Sequence, residues 1–286
     1  MNLLDGKEVS AKVLARIAAE ARNLPVPPCL AVVIVGDDPA SHIYVRNKKK
    51  TCEQVGFRSL EYALPADYGQ ARLLALIEGL NANDSVHGIL CQDPLPQGYD
   101  TQAVCRAISP DKDVDVFHPI NAGKLLLGDP SFLPGTPAGI MELLRDAGIS
   151  LEGKHVVIVG RSNIVGKPMA LLALQENATV TICHSRTKNL TAHTRTADIL
   201  IAAVGRLRFI TADMVKEGAV VIDVGINRLE GKKVRGDVDF DAVSEKCSYI
   251  TPVPGGVGPM TIAMLMQNTL IAAKRAVYHK ARQGES

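Results

Sequence analysis

The residues best placed to do chemistry fall in one stretch, Ala40 to Val55, ASHIYVRNKKKTCEQV. Read as a helix that Ser41 can cap, it sets Tyr44, Lys48, Cys52 and Val55 on one face, while Lys49 and Lys50 turn toward solvent. Two readings of Lys48 follow. Its stem can cover apolar surface while the ammonium reaches water, or the amine can be partly buried beside Tyr44, with a lowered pKa that lets it exchange a proton near neutrality. A second group emerges at Gln92, where an apolar run over residues 86–91 closes into Gln92-Asp93-Pro94-Leu95-Pro96. A third is the loop Pro110 to Pro119, with Asp111, Asp113 and Asp115 at alternate positions. That alternation resembles a calcium loop, which requires Gly at its sixth position and Glu at its twelfth; Val116 and Ala122 stand there instead. The GDVDFD run over residues 236–241 fails the same test.

The elements that must position these groups read as alternating strands and helices. An amphipathic helix is expected up to Ala21, carrying Val9, Val13, Leu14 and Ile17, until Pro25, Pro27 and Pro28 stop the pattern. Residues 30–35, LAVVIV, form a continuous apolar run ended by Gly36-Asp37-Asp38-Pro39, the mark of a buried strand and a turn. The helix of Lys48 therefore starts near the carboxyl end of a strand, where open α/β sheets bind ligands. Strands at 58–64 and 86–91 and helices at 70–80 and 101–108 continue the alternation. After Leu133-Pro134-Gly135-Thr136-Pro137 and a helix at 138–147, a second series begins with strands at 155–159, 179–183, 199–204 and 220–224. This rhythm predicts parallel sheets with right-handed crossovers. The fold class is α/β in two domains: a smaller one over 1–136, a Rossmann-like one over 137–260, and a C-terminal helix over 261–286 that returns to the first.

The first strand of the second series runs into Gly160-Arg161-Ser162-Asn163-Ile164-Val165-Gly166-Lys167-Pro168. It is not a Walker A loop, because five residues separate the glycines and Pro168 follows the lysine; nor is it a strict GxGxxG, because Ser162 and Val165 hold the later glycine positions. A tight strand-to-helix turn remains, whose amides can hold a phosphate with Arg161 and Ser162 adding donors. The next strand ends in His184-Ser185-Arg186-Thr187, where an NAD site expects an acidic residue; a hydroxyl and a guanidinium suit a 2′-phosphate, and so NADP. In Thr251-Pro252-Val253-Pro254-Gly255-Gly256-Val257-Gly258-Pro259-Met260-Thr261, the glycines allow backbone to approach a flat ligand.

Composition narrows the functional classes. The 286 residues leave room for about two domains. Lys and Arg number 32 against 30 Asp and Glu, so no global field selects a nucleic acid, and Trp is absent. No apolar run reaches the roughly 18 residues of a membrane span, and the first residues lack the apolar core of a signal peptide, which predicts no membrane association and a cytoplasmic protein. Six scattered cysteines with no CxxC pair read as reduced packing residues, and the seven histidines form no HExxH-like array, so no metal site is expected.

GRSNIVGKPMA, the QDPLP segment, DKDVD and TPVPGGVGPMT together resemble the bifunctional methylenetetrahydrofolate dehydrogenase/cyclohydrolase family, in family order over nearly the whole chain. The resemblance implies oxidation of 5,10-methylene-tetrahydrofolate with NADP+ and hydrolysis of the methenyl product to 10-formyl-tetrahydrofolate, in one-carbon metabolism and purine biosynthesis, by a homodimer. It implies catalytic roles for Lys48, Tyr44, Gln92 and Asp115. Folate contacts would come from these four and from Pro254, Gly255 and Gly256. Cofactor contacts would come from Gly160, Arg161, Ser162, Val165, Gly166, Ser185, Arg186, Val204, Gly205 and Ile226. Three places depart from the family pattern: Val116 in place of a glycine, Asp93 in place of an apolar residue, and Arg206-Leu207-Arg208 in place of a lysine-proline-glycine turn. Two alternatives stay open: another NAD(P)-dependent dehydrogenase of a small acid, or a non-catalytic nucleotide-binding regulator.

Overall fold

The computed structural model describes residues 1–229 and 233–284, so the last two residues of the expected C-terminal segment lie outside it. The first half of the chain forms β1 (Asn2–Leu3), α1 (Gly6–Ala21), β2 (Cys29–Val35), α2 (Pro39–Gln54), β3 (Arg58–Leu64), α3 (Gln70–Ala82), β4 (Gly88–Cys91), α4 (Thr101–Ala107) and α5 (Pro119–Leu126). The second half forms α6 (Gly135–Asp146), β5 (His155–Val159), α7 (Gly166–Gln175), β6 (Thr179–Cys183), α8 (Leu190–Thr194), β7 (Ile199–Ala202), β8 (Val220–Asp223), β9 (Asn227–Arg228), β10 (Val234–Arg235), α9 (Phe240–Ser244), β11 (Tyr249–Ile250) and α10 (Val257–Gly284).

The chain divides into two compact units. One holds Lys12–Leu133 with the chain from Ile262 onward, and the other holds Met1–Ala11 with Pro134–Thr261. The return of the C-terminal helix to the unit of Lys12–Leu133 is as expected; the placing of the first eleven residues is not. The expected boundaries gave 1–136 to one domain, whereas β1 pairs parallel with β11 and Leu4 donates to the carbonyl of Ile250, which ties the start of the chain to the other unit.

In the unit of Lys12–Leu133 a parallel three-stranded sheet runs β3-β2-β4. Every residue of central β2 is buried, which is why its sequence is uniformly apolar rather than alternating. Helix α2 follows the turn at Gly36. Its start is fixed by Asp38 rather than Ser41: the Asp38 carboxylate accepts from the Ser41 amide and hydroxyl, both at 2.8 Å, and Pro39 opens the first turn. Asp38 wins because Pro39 already has helical geometry, which leaves Ser41 inside the helix. Gly56, at φ 77°, ends α2, and the Phe57 amide closes back onto the Cys52 carbonyl. Val45, Cys52 and Val55 are buried on one face, where the Cys52 sulfur lies 3.6 Å from that of Met266 on α10.

The unit of Pro134–Thr261 carries a parallel six-stranded sheet, β1-β11-β8-β7-β5-β6, with β5, β7 and β8 near its centre. The side chains of Val157, Val159, Leu200, Ala202 and Val221 pack with Ile210, Met214 and Val243 in one core. All six cysteines are free thiols, and burial pushes that of Cys52 up to about 12. Among the described residues no group of His, Cys, Asp or Glu is arranged to hold a metal, and no helix is long and apolar enough to cross a membrane.

Replacing Asp38 with Ala removes the cap of the helix that carries Lys48, and is expected to cost about 1 kcal/mol. Urea unfolding of the two proteins side by side measures the difference.

Candidate active site

One helix and two loops of the unit of Lys12–Leu133 carry its candidate chemistry. Lys48 sits on α2, which follows β2; Gln92 comes directly after β4, its amide donating to the Val33 carbonyl at 2.8 Å. The second loop runs alongside β4, because Asp113 bridges Ile89 in parallel and the Ile89 amide donates to Lys112 at 2.8 Å. Asp115 follows two residues after that bridge, in a turn that the Val116 amide closes on the Asp113 carbonyl at 3.3 Å. The parallel register therefore gathers residues separated by more than sixty positions.

Lys48 Nζ donates to Gln92 Oε1 at 2.9 Å, and Gln92 in turn donates through Nε2 to the Asp93 carbonyl at 2.7 Å. The amide of Gln92 is thus held at both ends, with its oxygen fixed on the amine. Burial drives the Lys48 pKa down, with the Asp115 carboxylate opposing the shift; burial likewise drives Asp115 up, opposed by Lys48 and reinforced by Asp113 and Asp93. Both groups are pushed toward their neutral forms, and the Lys48 amine is engaged with Gln92 rather than free in water. Lys49 and Lys50 are exposed, as expected. Tyr44 is half-buried one turn before Lys48 and forms no hydrogen bond to Lys48, Gln92 or Asp115.

Two supporting residues escaped the sequence reading. Asp113, 2% exposed, accepts from the amides of Phe117 at 3.0 Å and His118 at 2.9 Å and from Asn121 Nδ2 at 2.8 Å, which closes the loop that carries Asp115. Its place in an alternating aspartate run suggested a cation, but its partners are amides. Asn268 on α10 donates to the carbonyls of Val114 and Leu133, both at 2.8 Å, and pins the loop from the other side.

In the unit of Pro134–Thr261 the turn after β5 is shaped by steric need. Gly160 has φ 136° and a side chain there would strike the Ala203 carbonyl; one at Gly166 would strike the Gly160 carbonyl. Ser162 Oγ accepts from the amides of Val165 at 3.1 Å and Gly166 at 3.3 Å, so it spends its acceptor capacity on the start of α7 and keeps only its own proton to offer. Arg161, Ser185 and Arg186 are exposed at the carboxyl ends of β5 and β6, which pair in register from His155 with Thr179 to Val159 with Cys183. Two guanidiniums and a hydroxyl beside an open helix start form a donor set that fits a dinucleotide with an extra phosphate. Val204, Gly205 and Ile226 follow β7 and β8 on the other side of β5. Gly255, at φ 111°, and Gly256 are buried, and a side chain at Gly256 would lie 2.7 Å from the Pro252 carbonyl, so these glycines have a reason within the loop itself. Pro254 is exposed beside them.

Comparison with known proteins gives this geometry a context. Residues 4–115 match the catalytic domain, and residues 134–277 the NAD(P)-binding domain, of tetrahydrofolate dehydrogenase/cyclohydrolase. The bifunctional protein FolD of Bacillus licheniformis is 58% identical over 278 residues, covering 96% of this chain and 98% of that one. The bifunctional FolD dehydrogenase/cyclohydrolase of Campylobacter jejuni superposes with a TM-score of 0.95 at 54% identity, covering 96% and 99% of the two chains. The Trypanosoma brucei enzyme, solved with NADP and an inhibitor, superposes at 0.91 with 38% identity over 96% and 97%. The chain belongs to the tetrahydrofolate dehydrogenase/cyclohydrolase family.

Against that family pattern the three departures each have a physical consequence. Val116, 6% exposed, has φ 64°, a left-handed conformation that penalises a β-branched residue. Asp93 adds negative charge that raises the Asp115 carboxyl further, behind burial and Asp113. In the 206–208 turn, the Arg206 guanidinium stacks 4.5 Å from the Phe209 ring centre, and Arg208 lies 3.7 Å from Asp239 and 3.9 Å from Asp241. Both arginines of this family member are thus engaged with its own surface.

The backbone cost at Val116 can be isolated. Val114, 1% exposed and free of positive φ, loses the same side chain on replacement by Gly. Val116→Gly is therefore expected to destabilise by about 1–2 kcal/mol less than Val114→Gly, the size of the left-handed penalty; equal losses in urea unfolding would show that Val116 carries no strain.

Proposed function

We propose that this member of the family oxidises 5,10-methylene-tetrahydrofolate to the methenyl cation with NADP+ and hydrolyses that cation to 10-formyl-tetrahydrofolate. The single observation that carries the residue assignment is the half-buried amine of Lys48 fixed on Gln92 beside Asp115. In this reading the unit of Lys12–Leu133 binds the folate and the unit of Pro134–Thr261 binds the nucleotide.

The roles follow from the chemistry. The pterin offers an adjacent ring N–H and amino group, a donor pair that the Asp115 carboxylate can accept with both oxygens. NADP+, when bound by Arg161, Ser162, Ser185 and Arg186, supplies the hydride acceptor, and positioning dominates that step. Oxidation leaves a cation, which a charged lysine would oppose; a neutral Lys48 avoids the repulsion. In the hydrolysis a water oxygen bonds to the methenyl carbon and Lys48 Nζ takes its proton. The bond from that carbon to N5 then breaks, N5 receives the proton from Lys48, the hydroxyl of the adduct gives up its remaining proton to solvent as the C=O forms, and the formyl group stays on N10. Gln92 holds the amine in place and Tyr44 lines the same helix face. The two alternatives raised by the sequence lack support of this kind, since neither calls for Lys48, Gln92 and Asp115 together.

Assembly and setting extend the proposal. The free edge of β6 exposes Ile182 at 39%, with Leu174 of α7 exposed at 60%, and such an apolar edge favours pairing with a second copy into a homodimer. Six free thiols suit the reducing cytoplasm, where the product would feed one-carbon transfer for purine synthesis.

Incubation of purified protein with methylene-tetrahydrofolate and NADP+ should give a rise and fall of methenyl absorbance. Lys48→Met is expected to abolish hydrolysis of added methenyl-tetrahydrofolate while NADP+ binding persists; undiminished hydrolysis refutes the role of the amine. In the wild type, hydrolysis should fall as pH drops through a transition that lies below the ordinary lysine range, because burial disfavours the ammonium and only the neutral amine can accept the proton. A rate that is flat with pH across that range would count against it.

A further inference from the structure

The sheet order fixes where each half of a dinucleotide must lie. The phosphate turn follows β5, and Ser185 with Arg186 follow β6 on one side of it. A nucleotide with its pyrophosphate on the first and its 2′-phosphate on the second has one direction left for the nicotinamide half: across the carboxyl ends of β7 and β8 on the other side. Those ends are the 203–206 turn and the 224–227 turn.

Both turns are held by a single carboxylate. Asp237, fully buried, accepts through Oδ2 from the amides of Val204 at 2.7 Å and Gly205 at 2.8 Å, and through Oδ1 from the Arg206 amide at 2.8 Å and Asn227 Nδ2 at 3.0 Å. Behind it, Asp223 accepts from the amides of Asp237 at 2.8 Å, Val238 at 2.9 Å and Gly225 at 3.0 Å. The Asp223 amide donates at 2.7 Å to the hydroxyl of buried Thr251, the first residue of the TPVPGG turn. Gly225 and Gly236 leave no room for error: a side chain at the first would strike the Asp237 carboxylate, and one at the second that of Asp223. Among the described residues neither carboxylate forms an ion pair, and each is surrounded by N–H donors, an arrangement costly to bury unless the donors are fixed.

We propose that Asp237, backed by Asp223, is a positioning residue for the nicotinamide half of NADP+, setting the 204–206 and 225–227 backbone against which that half is bound. This rests on the reading of the chain as an NADP-dependent dehydrogenase and cyclohydrolase.

The test is Asp237→Asn in the full chain. It preserves size but turns an NH2 group against N–H donors in either orientation. Calorimetry with NADP+ alone is expected to show binding weakened about tenfold, the usual effect of losing hydrogen bonds to a charged acceptor, with the KM for NADP+ rising in step. Hydrolysis of methenyl-tetrahydrofolate consumes no nucleotide and should keep its wild-type kcat and KM, which a general loss of structure would not allow. Asn227→Ala, a change at a half-buried side chain, should weaken NADP+ binding by a smaller factor and serves if Asp237→Asn does not fold. Unaltered NADP+ affinity in the folded variants overturns the inference, as does equal loss of both activities at unchanged affinity. A wild type that binds no NADP+ would sink the functional reading itself, whereas wild-type binding with unmoved variants sinks only the positioning role.

Discussion

The proposed chemistry depends on an amine, Lys48 acting as base, that the fold has partly withdrawn from water and given a neutral partner. Gln92 is an acceptor without charge, so it can hold Lys48 without restoring the ammonium that burial disfavours. A carboxylate in the same position would have stabilised the charged form and removed the base. The charged group present, Asp115, is presented by a different loop and opposes the shift without reversing it. The secondary structure needed for this is modest: two parallel strands ending at the same level and a helix that starts from one of them.

Buried carboxylates solve the same problem twice. Asp113 closes the loop that presents Asp115, and Asp237 closes the turn that follows β7; each is nearly or wholly excluded from water and satisfied by backbone N–H groups. Loops at strand ends have amides that no ladder satisfies, and burying them unpaired would be expensive. An aspartate with two oxygens can take several such amides at once and converts a loose segment into one with a single geometry. Side chains mounted on such loops inherit that rigidity, which is what a site needs when a displacement of about 1 Å costs much of the rate.

This division explains what the sequence disclosed and what it hid. Strands β3, β5 and β6 occupy the expected residues: β5 is a short apolar run bounded by turn residues, while β3 and β6 alternate polar with apolar or β-branched residues, as half-exposed strands do. Lys48 and Gln92 were legible as candidates since each stands just past an apolar run or on the helix after it, whereas Asp115, in an irregular loop, was singled out by the family resemblance. Helix α5 was missed: eight residues entered from a proline after an irregular loop give too short a period to detect. The two-residue β1 was missed for the same reason, and with it the true boundary of the units. The roles of Asp113 and Asp237 were hidden for a different reason. Alternating aspartates suggest a cation by spacing, and spacing does not reveal that the partners are amides of the same loops.

The left-handed Val116 shows how far the surroundings can override a local preference. A glycine there would adopt φ 64° without cost, yet the chain holds a buried valine in that conformation directly after Asp115. Three anchors impose it: the bridge of Asp113 to Ile89, the amides of Phe117 and His118 drawn onto the Asp113 carboxylate, and Asn268 on the Val114 carbonyl. With both sides of the residue fixed, its φ has nowhere else to go, and the apolar side chain recovers part of the strain by its burial. The aspartate therefore keeps its place beside Lys48 because its neighbour is constrained to bear the strain.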